Sequence, residues 1–317
     1  MTITSTLLYQ GTLHVWDRKS SIRSRPRRLL ANDQKTQYFF PLSRQPIAIH
    51  PLIKQLGPEA ISFILAQTSY KFMYDIAILE TELVNNGALM VANDHLNMGF
   101  PAALRQDALS IIIDEAYHAY VAIDFINQIE EITGIKRLET PTETTVTRAV
   151  KVIKKSLPED LHKLFELIAV CISEHVLTKD LISIGKDKNT GEFFQLVMAD
   201  HVLDEGRHAS IFAYVFDFIW KKMTACQKDS IGVILPEFLK EYLRQDLQKN
   251  YDKKILIALG CSAEKIETIL KDSYINACSV GLNNNNPVVA NLIALLQRVH
   301  VFDHSKTKVA FETYNLI

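Results

Sequence analysis

Residues 201–208 read His-Val-Leu-Asp-Glu-Gly-Arg-His, and residues 114–118 read Asp-Glu-Ala-Tyr-His. Both contain the word Asp-Glu-x-x-His. The chain has 18 Glu and 10 His in 317 residues, so chance supplies roughly half a Glu-x-x-His tetrad but only about 0.03 of the five-residue word. Two copies of the longer word therefore carry information that one tetrad does not. The third tetrad, Glu159/His162, lacks the Asp, follows Pro158 in a first helical turn, and is read as surface. Residues three apart on a helix share a face, so Glu115 with His118, and Glu205 with His208, can each reach one metal ion, or the Glu can bridge two. Four-helix di-metal proteins pair two such helices with two more that each offer a lone Glu. The motif thus makes a demand on the rest of the chain.

Working outward, the helical period runs through four long segments, about 59–97, 102–133, 157–184 and 191–224, with apolar residues at i, i+3, i+4 and i+7. In the third, Glu174 shares a face with Leu167, Val170, Cys171 and Leu181, where an unpaired carboxylate is costly. In the first, Glu80 lies with Met73, Ala77, Val84 and Gly87, whereas Glu82 is nearer Asp75, Asn85 and Asn86; burial favours Glu80 and leaves Glu82 to solvent. His201 precedes Glu205 by four residues and His208 by seven, on a stripe continued by Phe194, Met198, Phe212 and Val215. The expected ligand set is Glu80, Glu115, His118, Glu174, His201, Glu205 and His208. Four carboxylates balance two divalent ions, and mixed imidazole and carboxylate donors suit iron or manganese better than zinc or magnesium. Asp114 and Asp204 are each expected to accept a hydrogen bond from a ligand histidine on the opposite helix and to fix its tautomer. His175, next to Glu174, points about 100° away on an ideal helix and is not expected to be a ligand.

The expected fold is all-α. Residues 1–57 form an arm rich in Arg, Lys and Pro with little regular structure, 58–225 the di-metal bundle, and 226–317 a helical extension of the same domain. The link 134–156, with Thr140-Pro141-Thr142, reads as a polar crossover. The last third is punctuated by Gly260, Gly281 and Asn283–Asn286. With 35 Lys+Arg against 36 Asp+Glu, net charge gives no case for nucleic-acid binding, and the basic run in the arm is read as a solvated face. Hydrophobic residues make up 48% of the chain, which argues against disorder. No apolar run reaches the roughly 20 residues a membrane helix needs, and Met1–Leu8 is too short and polar for a signal-peptide core. Cys171, Cys226, Cys261 and Cys278 form no Cys-x-x-Cys pair, so a reduced, cytoplasmic setting is expected.

The order Glu80, Glu115-x-x-His118, Glu174, His201-x-x-x-Glu205-x-x-His208 resembles the di-iron arylamine N-oxygenases, whose type member acts on p-aminobenzoate. The resemblance covers about residues 60–225, with 35 residues from Glu80 to Glu115, 56 from His118 to Glu174 and 27 from Glu174 to His201. His201 stands where that family carries its additional histidine ligand. The resemblance implies a ferritin-like bundle holding two irons. It also implies O2-dependent oxygenation of an amine towards hydroxylamine, nitroso or nitro products, an external electron donor and possible homodimers.

Four rivals are weighed against this reading, the plainest being a structural bundle with no metal, which leaves four carboxylates on apolar faces unexplained. A carbon hydroxylase or desaturase on the same scaffold would differ in its product. An iron-storage or metal-binding protein would differ in iron stoichiometry. A radical-generating ribonucleotide reductase subunit would be expected to place Tyr four residues after the first ligand His, and position 122 is Ala. Arg207, inside the second motif, is read either as a holder of a substrate carboxylate or as the partner of a neighbouring acid.

Overall fold

The computed structural model describes residues 9–185, 187–274 and 287–317, apart from the side chains of residues 177–180, 183 and 287. Met1–Leu8, Cys278, Gly281 and Asn283–Asn286 lie outside the described residues. Among those described, no strand forms, and no helix is long and apolar enough to cross a membrane.

The arm contains two short helices, α1 (Leu13–Lys19) and α2 (Ser21–Ser24), and a third, α3 (Pro51–Lys54), precedes the bundle. The first bundle rod starts where Gly57 turns at φ 93° and Pro58 takes the first helical position, a place where its missing N–H costs nothing. It runs as α4 (Pro58–Leu79), a π-helical turn at Glu80–Val84, and α5 (Asn85–Ala92). The π turn is closed by the Asn85 N–H donating to the carbonyl of Glu80, five residues back. The second rod, α6 (Ala102–Thr133), begins after Pro101 and stops at Gly134, which is left-handed at φ 74°, a conformation that favours glycine. Within the stretch read as a polar crossover there is a helix, α7 (Thr145–Lys154), which corrects that expectation. Thr144 and Thr147 cap it reciprocally, and Val146, Ala149, Val150 and Ile153 give it a buried face. The third and fourth rods are α8 (His162–Gly185) and α9 (Glu192–Lys222). Then follow α10 (Ala225–Tyr242), α11 (Asp246–Ala258), α12 (Ala263–Ser273), α13 (Pro287–Arg298) and α14 (Ser305–Thr313).

The rods pack as a bundle, α8 on α9, α6 on α9 and on both halves of the first rod, and α5 on α8. Its interior is divided. One apolar cluster holds Val84, Ala88, Leu104, Ile111, Leu167–Ile172 and Ile211–Phe216, and is completed by Phe238 of α10, Leu292 of α13 and Phe311 of α14. The other holds Ile64, Met73, Phe125, Leu181 and Phe194, and is completed by Tyr251 of α11 and Ile269 of α12. On α6, α8 and α9 the motif residues fall between the two clusters, and on the first rod Glu80 sits at their junction, just after Ala77 of one and Leu79 of the other. Burial of apolar surface at both ends, worth about 25 cal/mol per Å², clamps a polar slice at mid-height.

Candidate metal centre

Each rod contributes to that slice one residue or one helical stripe. Glu80 enters from the π turn and is fully buried, whereas Glu82, two residues on, is exposed. Glu115 and His118 enter from α6, Glu174 from α8, and His201, Glu205 and His208 from α9. All are buried, none above 6% exposed.

Their donor atoms gather into two groups, Glu80 with His118, His201 and Glu205, and Glu115 with Glu174, Glu205 and His208. Within each group the atoms lie within 4.8 Å of one another, and Glu205 belongs to both. His201 Nε2 lies 3.1 Å from Glu80 Oε1 and 3.0 Å from Glu205 Oε1. His118 Nδ1 lies 3.3 Å from Glu115 Oε2 and 3.5 Å from Glu205 Oε1. The His118 and His201 rings stack with centroids 4.0 Å apart. His208 Nδ1 lies 2.8 Å from Glu115 Oε1, an ion-pair distance, but among the described residues these atoms, like the oxygens of Glu80, have no well-directed hydrogen bond. Buried carboxylate and imidazole atoms without well-directed partners are costly, and a shared cation would satisfy them. The donor set, oxygen and imidazole nitrogen without thiolate, fits iron or manganese. Cys171 is buried on α8 but is in neither group.

The proton affinities reflect the crowding. Burial pushes the Glu80 carboxyl up to about 7 despite the neighbouring His201. Burial, then the charges of Glu205 and Glu115, hold Glu174 well above the usual carboxylate range. Burial also works against ionised Glu205, but the His201 and His208 imidazoles overcome it and lower its carboxyl. His118 and His208 are depressed by burial, and the acids around them outweigh this and raise both well above an ordinary histidine.

The inward nitrogens are Nδ1 for His118 and His208, and their Nε2 atoms face outward to carboxylates. His118 Nε2 is 3.1 Å from Asp204 Oδ2, and His208 Nε2 is 3.1 Å from Asp114 Oδ2. An Nε2–H donated outward leaves the Nδ1 lone pair free to ligate. Arg207 donates to Asp114 Oδ2 at 2.6 Å and to Ser110 Oγ at 2.8 Å, so among its open readings it pairs with a neighbouring acid. Two donors to these carboxylates had no signal in the motifs: the indole of Trp16, on Asp114 at 2.8 Å, and the backbone N–H of Ser21, on Asp204 at 3.0 Å. Outside the slice, Glu159 is exposed and the His162 ring lies 3.0 Å from the Leu157 carbonyl. His175 is half-buried and in neither group.

A narrow cavity reaches the rings of His118 and His201 from the surface. Its walls are Tyr117, Val121, Phe125, Phe193 and Val197, and Ser21 with Arg25–Arg28 roofs it. Its volume is about 30 Å³, room for about two waters.

An all-helical bundle enclosing a carboxylate–imidazole cluster of this kind has the architecture of the ferritin-like di-metal proteins. Residues 24–257 match the family model described as P-aminobenzoate N-oxygenase AurF, and the chain belongs to that family. It is also 23% identical, over 218 residues, to a 4-aminobenzoate N-oxygenase of Streptomyces thioluteus. That match covers 66% of this chain and spans 62% of the relative's length.

Proposed function

We propose that this protein is a di-iron, O2-dependent oxygenase that oxidises the nitrogen of an arylamine towards hydroxylamine, nitroso or nitro products. The observation that carries the reading is the pair of buried donor groups sharing Glu205, in a chain of the p-aminobenzoate N-oxygenase family. Glu80, His118 and His201 would hold one ion, Glu115, Glu174 and His208 the other, and Glu205 both. Bound iron supplies the O2 activation that no side chain here can perform. The protein's own work is to fix the ligands and exclude water. Asp114 and Asp204 keep the Nε2 protons of His208 and His118 in place, which orients both rings. The apolar ends of the bundle keep bulk water out of the slice. The walls of Tyr117, Val121, Phe125 and Phe193 make the approach to His118 and His201 apolar, and the narrow cavity would have to widen for an arene to reach them. An external reductant completes the cycle, and the setting is cytoplasmic.

The test is anaerobic loading with ferrous iron, metal analysis, then exposure to O2 with an aminobenzoate and mass spectrometry of the product. Two irons per chain and oxygen on the substrate nitrogen are expected. Oxygen on carbon would place the protein with the hydroxylases, and iron uptake far beyond two per chain would place it with the storage proteins.

A further inference from the structure

We propose that Trp16 and Ser21 of the arm are positioning residues of the metal centre, each clamping from outside the carboxylate that orients one ligand histidine. The inference rests on the reading of the slice as a metal site.

Asp114 and Asp204 are 0% and 2% exposed, so water does not satisfy their oxygens. Their inner contacts are the histidines. Their outer contacts come from the arm: Trp16 Nε1–H donates to Asp114 Oδ1 at 2.8 Å, and the Ser21 N–H reaches both oxygens of Asp204, at 3.1 and 3.0 Å. Asp114 is further held by Arg207, whereas among the described residues Asp204 has only His118 and Ser21 as hydrogen-bond partners. A carboxylate held on both sides cannot rotate, and the imidazole on its inner side inherits that orientation. The two clamps divide between the donor groups, since Asp114 serves His208 and Asp204 serves His118.

The first part of the arm has little apolar reason to lie where it does. Helix α1 buries no residue, and α2 buries only Ser21. The arm's buried apolar side chains, Leu30, Phe39, Phe40, Ile47 and Ile53, come after the clamping residues, so hydrophobic anchoring contributes little before Leu30. The arm is tied instead to a row of acids on α6 and α9: Tyr9 and Thr12 to Asp107, Trp16 to Asp114, Ser21 to Asp204, Arg27 to Asp124 and Arg28 to Asp200. Two of these acids touch ligand histidines. Both clamping residues precede residue 24, where the family match begins.

The Tyr9 tie is a matched control. It joins the same arm to the same helix, at 2.7 Å, through a carboxylate that is not bonded to a ligand histidine. Cobalt(II) alone is titrated into the metal-free wild type, Trp16→Phe and Tyr9→Phe, against a competing chelator, with visible absorption and thermal unfolding recorded. The wild type should take up two ions. Trp16→Phe should bind one of the two about tenfold more weakly, the low end for loss of an outer-sphere partner, with a changed cobalt absorption band. Tyr9→Phe should match the wild type in both. Should Trp16→Phe fail to fold, benzothienylalanine at position 16 removes the N–H while keeping the shape, and the same tenfold loss is expected. Wild-type affinity in the Trp16 variants overturns the proposal, as does an equal loss in Tyr9→Phe, which would mean that the arm acts only by general tethering. A wild type that binds no cobalt overturns the metal-centre reading itself, and this inference with it.

Discussion

Replacing Glu80 by Gln separates a metal ligand from a structural core carboxylate, because the two roles predict opposite signs. Glu80 is fully buried, and burial holds its carboxyl at about 7 against an ordinary 4.5. The folded protein therefore binds a proton that the unfolded chain has released between these two values, and stability contributed by this group is lost as pH rises through that window. At about 1.4 kcal/mol per tenfold difference in proton affinity, ionised Glu80 costs the metal-free protein about 3 kcal/mol at pH 8. Gln copies the shape of the protonated acid and carries no charge. Metal-free Glu80→Gln should thus unfold at higher urea than metal-free wild type at pH 8, by up to about 3 kcal/mol, with the gap closing at pH 4. Ferrous iron under anaerobic conditions should reverse the order, because binding to the folded state stabilises by mass action and the variant has lost a ligand. Urea titrations with and without metal at both pH values give the four numbers needed. A metal-free variant less stable than wild type at pH 8 would refute the reasoning, since Glu80 would then be held by bonds the fold needs without an ion.

Asp252 offers the contrasting case. Burial raises its carboxyl to about 6 against donors from Tyr274, Gln248 and Gln45, so stability is again lost as pH rises, here between about 4 and 6. Asp252→Asn should flatten that part of the urea midpoint profile and, unlike Glu80→Gln, should leave metal uptake unchanged. Val121→Trp, which fills the cavity beside His118 and His201, should retain both irons while abolishing turnover of an aminobenzoate; full turnover would mean that the substrate arrives by another route. Gly87 allows α5 to lie against α8, since a Cβ there would come within 2.8 Å of Val170 Cγ2. Gly87→Ala should cost about 1–2 kcal/mol, overpacking outweighing the gain in helix propensity, and Val170→Ala added to it should restore part of the loss in a double-mutant cycle.

The parts of the molecule legible in the sequence are those built from local periodicity. The second rod occupies the expected 102–133 and the fourth differs from 191–224 by two residues or fewer at each end, because a long apolar stripe and its Pro or Gly boundaries act within a few residues of one another. The juxtaposition of the seven donor groups was legible for a related reason: a carboxylate on an apolar helix face is improbable unless something compensates it. Two features escaped. The π turn at Glu80–Val84 alters which residues face inward by one position, and apolar spacing over 59–97 does not resolve one inserted residue. Helix α7 was hidden by the Thr-rich run around it, although Thr144 and Thr147 formed a readable cap signal.

The arm is the harder case, and the reason is physical. Its contacts with the slice join residues 98 positions apart, Trp16 to Asp114, and 183 apart, Ser21 to Asp204. One uses a backbone N–H, which every residue but proline possesses and no side-chain pattern can mark. Acids that complete a buried site need donors, and α6 and α9 alone do not supply enough: Asp204 would face its histidine on one side and have no donor on the other. Any chain that folds this bundle must therefore bring polar groups from elsewhere to cover those oxygens. The basic composition of the first 28 residues suits a segment that crosses the bundle on polar contacts, whereas Leu30, Phe39, Phe40, Ile47 and Ile53 further along join the core. A sequence reading can demand such a cover from the buried Asp residues of the motifs, but the identity of the covering residues emerges only from the fold.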